Sequence, residues 1–132
     1  MLEVRLITLS DYATVSKEGK LTIAGIFDRL NVTKFPTSIV RAFFVATISG
    51  SPFTEYKLDL EVKKGAKQVA SFQLNSVTGD NGRNNLVVEM VGIPFKEEGE
   101  YNFILSHDKK ELGRTSLDAV YSESQTEIKM PN

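Results

Sequence analysis

The sequence predicts an all-β protein, built as a single antiparallel β-sandwich of about eight strands. Apolar residues alternate with polar residues in several short segments, which is the period of a half-buried strand. Polar turns that contain glycine or proline separate these segments at nearly regular intervals. No segment gives a convincing helical pattern, so strands joined by turns account for the chain. A closed barrel is the alternative architecture.

Composition limits the classes of function. A chain of 132 residues has the length of one domain and can bury a core without covalent links. Its net charge of -1, with basic and acidic residues scattered, argues against nucleic-acid or membrane partners. The absence of cysteine excludes disulfides and thiolate chemistry and is compatible with a reducing compartment. No apolar run reaches the length of a membrane span, so we expect a cytoplasmic protein.

The first third of the chain contains the least regular pattern. Leu2, Val4 and Leu6 alternate with charged residues and begin the first strand, and residues 10–20 are then predicted to form a polar connection. The next strand is apolar on both faces, which is typical of a central strand. Gly25 at its centre indicates a bulge or a close approach of another segment.

The remaining strands follow from clearer signals. The most hydrophobic run is rich in β-branched residues and ends at a Gly-Ser-Pro stop, which favours a core strand over a buried helix. Two alternating segments around the turn at Gly65 form a hairpin. Residues 1–121 are predicted to form the sandwich and residues 122–132 a polar tail. The predicted strands cover residues 2–8, 20–30, 39–49, 55–64, 67–75, 85–92, 100–107 and 111–121.

Tyr101 lies in the most specific structural motif of the chain. The segment reads Glu-Glu-Gly-Glu-Tyr-Asn-Phe over residues 97–103. It resembles the tyrosine corner of immunoglobulin-like sandwiches, in which the tyrosine hydroxyl bonds back to the backbone. Phe103 stands where antibody-type domains carry a cysteine. The predicted sandwich is therefore immunoglobulin-like and has no disulfide between its sheets.

His107 is the single histidine of the chain, and histidine with an acidic neighbour, here Asp108, suggests a general base. Both residues fall at a predicted hairpin tip, where an exposed turn histidine is the expected outcome. A serine nucleophile would need a Gly-x-Ser-x-Gly elbow or a partner placed by the fold, and the sequence contains no such elbow.

Three aspartates are the other candidates for chemistry. Asp80 lies in the long polar loop of residues 76–85, but calcium needs six to eight oxygen ligands and this loop offers one carboxylate. Asp11 and Asp28 could form a catalytic pair, yet Asp11 suits the start of a loop and Asp28 the end of a strand. We therefore predict no metal, no cofactor and no catalytic residue.

Tyr12 is the aromatic residue that the strand pattern does not explain. It either binds a partner or folds over an end of the sandwich. Carbohydrate binding is disfavoured because the chain has no tryptophan to offer as a flat exposed ring.

Several short blocks in order carry a family resemblance. They are Asp11-Tyr12-Ala13, Gly19-Lys20-Leu21, Gly25-Ile26-Phe27-Asp28, Phe35-Pro36 and the later Gly99-x-Tyr101-x-Phe103-x-Leu105. This set resembles a family of small bacterial proteins classed as a domain of unknown function. The resemblance implies a compact bacterial domain and supplies no activity and no catalytic residues.

Two hypotheses for function follow. The first is a non-catalytic binding or assembly module whose partner is a protein, itself or another. Contact is expected through a sheet face or an edge strand, with residues 2–8, 67–74 and 112–120 as candidate edges. The alternative is a small hydrolase or metal-dependent enzyme built on loops around Asp11, Asp80 and His107.

Overall fold

A computed structural model describes residues 2–123. These residues form nine β-strands and no helix. Residues 124–132, most of the predicted tail, lie outside the described part. The strands are β1 (Glu3–Val15), β2 (Leu21–Ile26), β3 (Arg29–Val32), β4 (Thr37–Ser49), β5 (Glu55–Lys64), β6 (Lys67–Val77), β7 (Arg83–Phe95), β8 (Gly99–His107) and β9 (Lys110–Tyr121).

The strands form two sheets, so the protein is a β-sandwich rather than a closed barrel. The first sheet has the order β2-β1-β4-β7, and the second has the order β3-β9-β8-β5-β6. All neighbouring strands are antiparallel except β3 and β9, which run parallel. The all-β sandwich predicted from the sequence is confirmed, with nine strands instead of about eight.

The core lies between the sheets and follows the predicted alternation. Every second residue of the central strands points inward, where neighbouring strands leave almost no accessible surface. The fully buried side chains of β4, β5 and β8 on this side are Phe44, Ala46, Ile48, Leu58, Leu60, Val62, Phe103 and Leu105.

Tyr101 forms the predicted corner at one end of β8. Its side chain is 1% exposed, and its hydroxyl donates a hydrogen bond of 2.7 Å to the backbone carbonyl of Glu97. The ring packs edge-on against Phe95, with centroids 4.6 Å apart and planes at 90°. The corner therefore fixes the chain between β7 and β8 to the core.

The polar connection predicted for residues 10–20 is wrong for its first half. β1 continues to Val15, and only residues 16–20 form the turn. Ser10 is buried and its hydroxyl donates to the carbonyl of Tyr12, so a polar side chain is satisfied inside a strand. Much of this half of β1 is exposed, which explains why its composition resembles a loop.

The single central strand predicted for residues 20–30 is also wrong. This segment forms β2 and β3, which lie in different sheets, and both are edge strands. Between them the carbonyl of Asp28 accepts a hydrogen bond of 2.9 Å from the amide of Asp118. The close approach predicted at Gly25 is confirmed. Its φ is 73°, and an added Cβ would lie 2.6 Å from Oδ2 of Asp11.

The β1–β2 hairpin bends away from the sheet and lies across its outer face. Pairing of β1 with β4 ends where Ser10 meets Phe43, and beyond it β1 pairs with β2. At the hairpin turn the carbonyl of Gly19 accepts a hydrogen bond of 3.3 Å from Asn85, which lies on β7. A second, small apolar cluster is buried beneath the hairpin and consists of Ala13, Phe43 and Val45, with Leu21, Ile23 and Val87 packed against it.

Candidate functional site

The residues of the hydrolase alternative occupy three separate places. Asp11 packs its side chain over Gly25. Asp80 lies in the β6–β7 loop and lines an open cleft of about 550 Å³ with Glu18 and Arg83. His107 lines a different cleft, at the start of β1 and the β8–β9 turn. Within residues 2–123 no three His, Asp or Glu side chains come together as a metal ion would require.

His107 is less exposed than the turn histidine that the sequence predicts. Its side chain is 29% exposed because it ends β8 and packs edge-on against Tyr56, with centroids 5.6 Å apart. Its Nε2 lies 3.7 Å from Oδ2 of Asp108. Asp108 and Lys109 both adopt positive φ and form the two-residue turn to β9, so this pair belongs to a hairpin end.

The outer face of the first sheet carries a more unusual arrangement. Directly opposed residues on four strands form a row across it: Ile26, Ser10, Phe43 and Glu89. Arg41 lies two residues before Phe43, and Val91 is directly opposite Arg41 on β7. Cross-strand opposed residues share a face of the sheet. Within this row Ser10 and Phe43 are buried beside the folded hairpin, and the residues around them are exposed.

Arg41 is held in place by two partners on this surface. Its guanidinium carbon lies 5.2 Å from the centroid of Phe43, within the range of a cation–π contact. Its Nε lies 2.7 Å from Oε2 of Glu89, and both charged side chains are about half exposed. Tyr12 meets Phe43 edge-on, with centroids 5.8 Å apart and planes at 71°.

Apolar surface accompanies this charged pair. Tyr12 is 48% exposed, and Ile26 and Val91 are 67% and 70% exposed. Tyrosine and arginine are the residues enriched where protein–protein contacts are strongest. We call this surface the Tyr12–Arg41 face and define it as Tyr12, Ile26, Arg41, Phe43, Glu89 and Val91.

Sequence reasoning identified only part of this face. Tyr12 stood out as an unexplained aromatic residue, and the structure places it on a sheet face instead of over a sandwich end. Arg41, Phe43, Glu89 and Val91 were missed because their proximity depends on the register of β4 against β7. One signal was available, since Arg41 is the one charge within the most hydrophobic run of the chain.

The three predicted edge segments each have a paired strand on one side only over most of their length. Residues 67–74 belong to β6, which is an edge of the second sheet as predicted. Residues 2–8 and 112–120 belong largely to β1 and β9, which have outer neighbours in the sheet order, but these neighbours leave residues 3–8 and 112–117 unpaired on that side. The neighbouring edge strands are short. β2 pairs with residues 10–15 of β1, and β3 with residues 118–121 of β9.

The two sheets and the tyrosine corner define an immunoglobulin-like β-sandwich. The structure is similar to that of an immunoglobulin-like protein from Pseudomonas aeruginosa, with a TM-score of 0.50 and 14% identity over 90% of this chain and 96% of that one. It is also similar to the alkylpurine DNA glycosylase AlkC of Pseudomonas fluorescens bound to DNA containing an abasic site analogue, with a TM-score of 0.48 and 10% identity over 86% of this chain and 30% of that one.

A family model identifies the chain more closely. It matches residues 5–120, and the chain therefore belongs to the Family of unknown function (DUF6941). This confirms the resemblance drawn from the short sequence blocks. A search of curated proteins found no match. Among the described residues there is no helix long and apolar enough to cross a membrane.

Proposed function

We propose that this protein is a non-catalytic assembly module, and that the Tyr12–Arg41 face binds a second copy of the chain. The observation that carries the proposal is the exposure of Tyr12, Ile26 and Val91 around a fixed Arg41–Glu89 pair. Burying these apolar side chains against a partner is favourable at about 25 cal/mol per Å² of apolar surface. The scattered positions of Asp11, Asp80 and His107 support the absence of catalysis, and a cytoplasmic location stays a prediction.

The charges on the face favour a second copy as the partner. The face carries one positive and one negative side chain, Arg41 and Glu89, 2.7 Å apart. In a two-fold contact the two copies use the same surface. If one residue of the first copy touches a second residue of the other copy, the reverse contact is also made. Arg41 of each copy then lies near Glu89 of the other, and the apolar side chains meet around them. Phe43 and Glu89 already hold Arg41, so little side-chain entropy is lost on binding.

The first test compares two valine substitutions at similar exposure. Val91→Asp places a charge on the face, whereas Val77→Asp places the same charge on β6, where the valine is 60% exposed. Sedimentation velocity over a range of concentrations should show a dimer for the wild type and for Val77→Asp. Val91→Asp should weaken dimerisation about tenfold or more. A wild-type protein that is monomeric at every concentration would contradict the proposal.

The second test exploits the symmetry of the contact. Arg41→Glu places two negative charges on the face, and Glu89→Arg places two positive charges there. Each variant alone should be monomeric because like charges meet across the two-fold axis. Mixing the two should restore a dimer, since every cross-contact then joins opposite charges. Circular dichroism checks that both variants are folded, and a mixture that stays monomeric would refute the two-fold contact.

A further inference from the structure

A separate cleft lies at the end of the sandwich that contains the tyrosine corner. It is lined by the β5–β6 turn on one side and by the end of β7 on the other, and its volume is about 140 Å³. Lys64, Lys67 and Lys96 contribute to its walls. We call it the lysine cleft. It shares no residue with the Tyr12–Arg41 face, so it is independent of the proposed assembly.

The charge of the lysine cleft is unbalanced. Lys64 and Lys67 are directly opposed across the hairpin, and like charges in that position repel each other. Among the described residues Glu97 is the one acidic residue in the lining, and its Oε2 lies 3.5 Å from Nζ of Lys64. Three lysines against one glutamate leave an excess of positive charge in a chain whose net charge is -1. A bound anion would relieve this repulsion.

Part of the cleft lining is apolar. It is formed by Val69, Pro94 and Tyr101. Tyr101 is fixed by its hydrogen bond to the carbonyl of Glu97 and by its edge contact with Phe95, so its position is set before any ligand arrives. A ligand for this cleft therefore needs an apolar part toward the wall and a negative charge toward the lysines.

We propose that the lysine cleft binds a small amphipathic anion, a carboxylate attached to an apolar group about the size of a benzene ring. Protein cavities of about 150 Å³ hold benzene, which sets the size of the apolar part. The carboxylate meets the ammonium groups of Lys67 and Lys96, and Lys64 keeps its partner Glu97. Such a group occurs on a free small carboxylic acid and at the C-terminus of a peptide that ends in an apolar residue.

The test uses benzoate, with benzyl alcohol as a neutral ligand of similar size and N-acetylphenylalanine as a mimic of a peptide C-terminus. Backbone amide shifts of Gln68, Val69 and Lys96 are followed by NMR during each titration. Benzoate should give saturable shifts at these residues and bind at least about tenfold more tightly than benzyl alcohol, because charge-assisted hydrogen bonds form with the carboxylate alone. Tighter binding of N-acetylphenylalanine than of benzoate would identify a peptide C-terminus, and the reverse order a free acid.

The variant Lys67→Gln/Lys96→Gln should weaken benzoate binding about tenfold while leaving the fold intact, since both lysines are exposed. The matched control Lys17→Gln/Lys34→Gln removes the same charge from exposed turn positions and should bind as the wild type does. The proposal is overturned by any of three results: no saturable shift with benzoate, equal affinity for benzyl alcohol, or unchanged affinity in the Lys67→Gln/Lys96→Gln variant.

Discussion

Replacing Tyr101 with phenylalanine isolates the energy of the corner hydrogen bond. The hydroxyl that is lost donates at 2.7 Å to the carbonyl of Glu97, while the ring and its contact with Phe95 remain. An intramolecular hydrogen bond contributes about 0.5–1.5 kcal/mol net, and a buried carbonyl left without a partner costs about 1–3 kcal/mol. This hydrogen bond is only partly buried, so we take the lower part of these ranges. We therefore expect a loss of about 1 kcal/mol.

The assay is urea unfolding followed by far-UV circular dichroism, because the chain has no tryptophan for fluorescence. The midpoint should fall without a change in the slope, and the melting temperature should drop by about 3–5 °C for a domain of this size. Tyr121→Phe is the matched control. Tyr121 is 51% exposed, and its variant should stay within about 0.5 kcal/mol of the wild type.

Comparing Tyr101→Ala with Tyr101→Phe separates the contribution of the ring to stability from that of the hydroxyl. Removing the ring leaves a cavity beside Phe95 and should cost about 3–5 kcal/mol. The reasoning is refuted if Tyr101→Phe has the same midpoint as the wild type, since the hydrogen bond would then contribute nothing. It is also refuted if Tyr101→Phe is as damaging as Tyr101→Ala.

Three further predictions concern stability. Gly25→Ala and Gly65→Ala both place a side chain on left-handed backbone, which costs about 1–2 kcal/mol of stability in each case. Only the new methyl group at Gly25 also meets a neighbour, so the urea midpoint of Gly25→Ala should be clearly lower than that of Gly65→Ala. Asn85→Asp removes the donor that holds the β1–β2 turn and should speed amide hydrogen exchange in that hairpin without changing exchange in the core. The hydrogen bond from Arg114 lowers the pKa of Glu111, so this pair stabilises the fold at neutral pH, and its contribution is lost as the pH falls through the folded-state pKa. Glu111→Gln should therefore lower the urea midpoint at about pH 7, and its difference from the wild type should shrink as the pH is lowered through that pKa.

The sequence predicted the fold best where a strand has one buried face and one solvated face. β5 is the clearest case, because Leu58, Leu60 and Val62 alternate with charged residues and the observed bounds equal the predicted ones. The prediction failed where strands leave this geometry. β2 carries apolar residues on both faces. Ile23 packs against the apolar cluster beneath the hairpin, whereas Ile26 is exposed, so the sequence of an edge strand resembled that of a central one.

The candidate sites show the same limit. Local sequence identifies Tyr101 because the corner links residues four positions apart, Tyr101 and Glu97. The Tyr12–Arg41 face instead joins β1, β2, β4 and β7, and its contacts follow from strand register, which no local pattern encodes. The lysine cleft was missed for the same reason. Its walls come from the β5–β6 turn and the end of β7, and each lysine resembles an ordinary exposed residue in the sequence.

The parallel pairing of β3 with β9 bears on the order in which the protein folds. The β5–β6 hairpin needs only a short turn, so it can form within microseconds. β3 pairs with residues 118–121 of β9, so forming this pair closes a loop that contains most of the chain. The entropy cost of closing that loop is correspondingly large. This four-residue ladder should therefore form after the folding transition state and be among the first to open. Substitutions that weaken it will then accelerate unfolding and leave the folding rate nearly unchanged.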